Sequence, residues 1–180
     1  MRGIWVAINH PGAFQQASLA LLNAVIFQQE IVVPAALYHF SSDAEVERLV
    51  ERFIACELSE KEWTHGAHWA GAFYIIMQRP DIDAERDMPN MIQRFNNSVG
   101  GENTDSAGYH ETITQGSLVI ARLFLEAQND NPPVYEVCNR LFATKFGKSD
   151  WLFEFWTKKV LFSVKARHEW VKPNIKPLTL

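Results

Sequence analysis

Residues 42–57 read SDAEVERLVERFIACE, and this stretch decides the fold class. Val46, Leu49, Val50, Phe53 and Ile54 recur every three or four positions, while Glu47, Arg48, Glu51 and Arg52 fill the gaps. A period of 3.6 gathers the first set on one helix face and the second on the opposite face. Ser42 and Glu45 have capping-box spacing, which satisfies free N–H groups where a helix begins. The stretch predicts an amphipathic helix over residues 43–57.

Working outward, Ser59 and Glu62 repeat the capping-box spacing and lead into residues 63–78, WTHGAHWAGAFYIIMQ. Thr64 can cap a helix running to about Gln78, where Arg79-Pro80 ends it because proline restricts the residue before it. Asp87 and Pro89 suit the cap and first turn of a third helix, with Met88, Ile92, Phe95 and Val99 as its stripe and Gly100-Gly101 as its end. GENTDSAG, residues 101–108, reads as a polar loop, and a fourth helix is expected from Tyr109 to about Gln128. Further helices are expected over Val134–Thr144, Trp151–Leu161 and a short piece through Trp170, with an extended tail from Lys172. No long stretch alternates with period two; only Gln29–Val33 is β-branched enough to raise the question. The expectation is all-α: a single-domain compact bundle of about five to seven helices.

The bulk numbers suit that reading. At 180 residues, 47% hydrophobic and 21% charged, the chain can bury one sizeable core. A net charge of −4 with no basic run argues against neutralising nucleic-acid phosphates. Cys56 and Cys138 lie far apart without CxxC spacing and read as reduced thiols, Cys56 within an apolar helical pattern. Between Met1 and Ser42 the only formal charges are Arg2 and Glu30, and Leu19–Phe27 is too short to span a bilayer. Residues 1–40 are therefore set apart as an N-terminal extension, from core packing or an upstream start codon, and residues 41–180 form the helical domain.

One polar constellation carries the candidate chemistry. His65 and His68, three apart, project from one helix side. Tyr109, His110 and Glu111 open another helix after a flexible loop, where free N–H groups and a positive dipole end favour neutral imidazole. Three imidazoles and a carboxylate would suit zinc, or iron of the two-His-one-carboxylate kind, so His65, His68 and His110 are candidate metal ligands. The spacing is no zincin motif, since Thr114 stands where a second histidine would be needed. A metal-free ligand pocket and a structural polar network remain open beside the metal site. No nucleophile elbow or phosphate-cradling glycine loop is present.

Glu62-Trp63-Thr64-His65-Gly66-Ala67-His68, Arg94-Phe95-Asn96, Gly108-Tyr109-His110-Glu111-Thr112-Ile113-Thr114 and Leu161-Phe162-Ser163, followed by Ala166-Arg167, Trp170-Val171 and Pro173, extend the pattern. In that order they resemble a family of uncharacterised bacterial proteins carrying W-T-H-x-A-H, R-x-N, G-Y-H-E-T-x-T and L-F-S…A-R…W-V-x-P. The resemblance spans about residues 58–178 and implies a bacterial cytoplasmic protein, with no catalytic role to carry over. The polar motif residues outnumber what core packing needs, so a shared pocket is expected. His110 and Glu111 would carry any catalysis, His110 as base or ligand and Glu111 as its partner. Asn96, Tyr109, Arg167 and Thr64 would contact a small-molecule ligand, although a cap is an equally simple role for Thr64 or Arg167. The alternative is a non-catalytic interaction or regulatory domain held by a structural histidine network, with no nucleic-acid or membrane partner in either case.

Overall fold

The computed structural model describes residues 39–180; the extension and the Gln29–Val33 question lie outside them. Seven α-helices follow in order: α1 (Asp43–Ile54), α2 (His65–Gln78), α3 (Ala84–Ser98), α4 (Glu111–Glu126), α5 (Val134–Phe142), α6 (Lys158–Leu161) and α7 (Val164–His168). No strand occurs among the described residues, so the fold is all-α as expected.

α2 is the axis on which the others pack, against α1, α4 and α5. Its sequence explains this position: nine of its residues are buried, from Gly66 to Ile75, on every side of the helix. A helix that is apolar all round has to lie inside. Trp69 and Phe73 project from it to meet Trp151, Phe146 and Phe124. Each such side chain, fully buried, contributes on the order of 1.5–3 kcal/mol of transfer free energy.

Several helix ends depart from expectation for identifiable reasons. α1 stops at Ile54 because Cys56 adopts φ 59 and Glu57 N–H turns back to Arg52 O at 2.8 Å. Cys56 thus occupies the left-handed position usually given to glycine, rather than continuing the helix. Glu45 accepts from Ser41 N–H and Oγ–H instead of closing a box with Ser42. α3 begins at Ala84, with Asp83 as its cap accepting from Arg86 N–H at 3.0 Å. Pro89 therefore lies inside the helix and not in its first turn. The Glu85 carbonyl, which Pro89 cannot reach with an N–H, accepts instead from Gln115 Nε2 of α4 at 3.0 Å.

The expected helix over Trp151–Leu161 is divided. A 3₁₀ segment, Ser149–Glu154, precedes a break before α6. The C-terminal tail takes the backbone groups a continuous helix would have used: Phe155 O accepts from Asn174 and Ile175 N–H, and Thr157 N–H donates to Asn174 Oδ1. At the other boundary, Phe40 exchanges two backbone hydrogen bonds with the Asn139 side chain, at 2.9 and 2.8 Å. Cys56 and Cys138 are free thiols, and burial pushes the Cys138 thiol well above its ordinary range.

Candidate functional site

The α2 N-terminus separates the two histidines that spacing placed side by side. Thr64 caps the helix by accepting from Ala67 N–H at 3.3 Å, which uses its hydroxyl in the backbone. His65 turns toward the Phe146 carbonyl, 3.0 Å from its Nε2, and Trp69 Nε1–H donates to the same oxygen at 3.0 Å. Burial lowers the His65 pKa, so at neutral pH the ring is uncharged and its Nε2–H donates to Phe146. His68 turns the other way. Its ring lies 4.3 Å from that of Trp63, and Trp63 is stacked on Phe53 at 3.9 Å and 3°.

His68 forms one wall of a cavity of about 420 Å³. Ile92, Phe95, Asn96 and Val99 of α3 form a second wall, and Tyr109, His110, Ile113 and Thr114 at the start of α4 a third. Glu60 and the 101–108 loop, through Glu102, stand at the rim. His68 is solvent-exposed and lines this cavity, with protein, Trp63 included, packed around the rest of the ring. That burial, with His65 nearby as a smaller cause, holds its pKa down to about 4. No hydrogen bond reaches the His68 imidazole from any described residue. Trp63 Nε1 is buried without an acceptor, a cost of about 1–3 kcal/mol.

His110 has a different character. It is the N-cap of α4: its Nδ1 accepts from Ile113 N–H at 3.3 Å, which requires the Nε2–H tautomer. That Nε2–H donates to Leu161 O at 2.9 Å, joining α4 to α6. Burial lowers its pKa, and the Arg167 charge does so further. With both nitrogens committed, His110 has neither lone pair to offer a metal nor a free site to take a substrate proton.

The loop is held chiefly by Asn103, which the sequence did not single out, together with Asn96, Tyr109 and Arg167, which it did. Asn103 Oδ1 accepts from Asn96 Nδ2 at 2.9 Å and Tyr109 N–H at 3.0 Å, while its Nδ2 donates to Gln93 O and Asn97 Oδ1. Gly108 adopts φ 75, and a Cβ there would collide with the Glu102 carbonyl oxygen. Arg167, expected as an anion clamp or helix cap, spends its guanidinium on the carbonyls of Ser106, Gly108 and Tyr109 at 2.9–3.3 Å. Asn103 was legible only as an Asn amid turn-formers, a residue type that hydrogen-bonds nearby backbone. Thr112, which local pattern suggests only as a cap or back-bonding hydroxyl, reaches the tail instead: its buried hydroxyl donates to Glu169 O and accepts from Val171 N–H.

The expected residues thus divide between two cavities. His68, Asn96, Tyr109 and His110 share the larger one. Glu111 accepts from Tyr109 Oη–H at 2.5 Å and lies with Arg167 on a neighbouring cavity of about 170 Å³. His65 and Thr64 face neither. Among the described residues no three His, Cys, Asp or Glu side chains are grouped so as to hold a metal ion. The zinc or iron site expected at His65, His68 and His110 has no such group behind it among the described residues, where the His65 and His110 rings turn to backbone carbonyls. No helix of the described residues is long and apolar enough to cross a membrane. No protein family, curated protein or solved structure matches the chain.

Proposed function

We propose that this chain is a small-molecule-binding protein whose site is the cavity between α2, α3 and the start of α4. The observation that carries the reading is His68: an unbonded, neutral imidazole on the wall of a cavity also lined by Trp63, Ile92, Phe95, Val99, Tyr109 and Ile113. About 420 Å³ lies within the usual ligand-pocket range of roughly 300–1,000 Å³. Such pockets combine apolar walls with a few convergent polar groups, here His68 and Asn96.

Binding fits the chemistry better than proton transfer. A general base works best with a pKa near the operating pH, and His68, at about 4, is too weak for that role. It serves instead as a fixed donor–acceptor that orients the ligand, over the flat face of Trp63. The motif resemblance agrees with a bacterial cytoplasmic setting and assigns no activity. A second reading, the structural network, is favoured for particular residues only: His65 Nε2, both His110 nitrogens and the Arg167 guanidinium bond backbone carbonyls or amides.

The test is a fragment screen read by amide and indole NMR. Binders should shift Trp63, Phe95, Asn96 and Ile113 together. Hits scattered over the surface, or none among several hundred fragments, would remove the proposal.

A further inference from the structure

We infer that the pocket takes a neutral molecule with an amide edge, an N–H beside a C=O as in a carboxamide, lactam or imide, on a small aliphatic body. The inference rests on the reading of this cavity as a ligand site and adds the charge and polar edge of what enters it. Two polar side chains on the walls keep free hydrogen-bonding capacity, and each offers both a donor and an acceptor. The His68 imidazole has no partner and is neutral at pH 7.5, so one nitrogen donates and the other accepts. Asn96 gives one Nδ2–H to Asn103, which leaves its second Nδ2–H and its Oδ1.

The other neutral polar side chains of the wall are engaged or closed. Tyr109 gives its hydroxyl proton to Glu111, and its oxygen faces the Thr114 hydroxyl. Both His110 nitrogens bond the backbone. Trp63 Nε1–H lacks an acceptor but is buried, with the indole held between Phe53 and His68. Donors and acceptors open to a ligand are therefore matched. An ammonium brings only donors and a carboxylate only acceptors, so either leaves half of the set unpaired. Charge points the same way. No lysine or arginine lines the cavity, so an entering anion gives up hydration without a counter-charge. Glu60 and Glu102 are exposed at the rim, where solvent screens them, and an exposed carboxylate holds a cation weakly. A neutral amide gives up less hydration than either ion and pairs with both side chains. Ile92, Val99 and Ile113 present aliphatic surface to its body.

The experiment titrates four probes of similar shape into the full chain at pH 7.5: cyclohexanecarboxamide, cyclohexyl methyl ketone, cyclohexanecarboxylate and cyclohexylmethylammonium. Binding is read by NMR at the Asn96 side-chain amide and the Ile113 methyl groups. The carboxamide should bind about fivefold more tightly than the ketone, which lacks the N–H. Both ions should bind about tenfold or more weakly than the carboxamide. His68→Phe, at an exposed position, should weaken the carboxamide about tenfold. A ketone or ion that matches the carboxamide, or carboxamide affinity unchanged in His68→Phe, overturns the amide assignment while keeping the pocket. If none of the four probes moves these signals, while fragments found by the screen do, the amide assignment alone falls. If nothing moves them, both readings fall.

Discussion

Replacing His110 by alanine removes two hydrogen bonds, and the size of the loss follows from the geometry. The side chain is only 7% exposed, so water cannot replace what is lost. Removing an N-cap costs about 1 kcal/mol, here the bond from Ile113 N–H to Nδ1. Leaving the Leu161 carbonyl without its Nε2–H donor adds about 1–3 kcal/mol. The sum is roughly 2–4 kcal/mol, which for a domain of this size lowers Tm by roughly 10 °C. His110→Asn keeps a good cap but cannot reach Leu161, so it should recover about 1 kcal/mol of the loss. Urea denaturation followed by circular dichroism would measure both. Alanine as stable as wild type, or asparagine no better than alanine, would refute the cap-and-bridge assignment.

Gln115→Ala should cost about 1 kcal/mol in the wild-type background and almost nothing alongside Pro89→Ala, because alanine restores the N–H that serves the Glu85 carbonyl; a double-mutant cycle without coupling would contradict this. Gly108→Ala should destabilise by about 2 kcal/mol or more and release the 101–108 loop, since both its φ and its clash with Glu102 forbid a Cβ; unchanged hydrogen exchange in the loop would count against it. His65, His68 and His110 all have pKa values lowered from 6.5, so below pH 6.5 the unfolded chain binds more protons than the folded one. Stability should therefore fall as pH drops from 7 to 5, before partnered carboxylates such as Glu62, held at about 2 chiefly by Arg52, protonate and lower it further. A urea midpoint that rises on acidification to pH 5 would show the sign to be wrong.

The fold was readable wherever one helix face is apolar and the other charged, as in α1, where 3.6-residue spacing needs no tertiary information. Legibility ended where backbone groups are satisfied from far along the chain. Gln115 completes the α3 ladder from 30 residues away, and nothing local marks Pro89 as interior rather than first-turn. Asn174 and Ile175 likewise capture Phe155 O, breaking a segment whose own composition reads as one helix. In the site, residue types were legible but directions were not. An i,i+3 pair lies within 60° on an ideal helix, yet Phe146 O on one side and the Trp63 face on the other draw His65 and His68 apart. Arg167 illustrates the same limit: a guanidinium suits an anion or a set of carbonyls equally, and only the loop's position decides between them.

The most direct test of the pocket assignment is a calorimetric titration of the tightest-binding compound from the fragment screen into wild type, His68→Ala and His65→Gln. His68 faces the cavity, whereas His65 faces the Phe146 carbonyl. With folding of each variant checked by its thermal transition, His68→Ala should weaken binding about tenfold or more, the loss of one buried hydrogen bond to the ligand. His65→Gln should leave the dissociation constant within about twofold. Equal affinity for wild type and His68→Ala, or a loss confined to His65→Gln, would contradict the assignment.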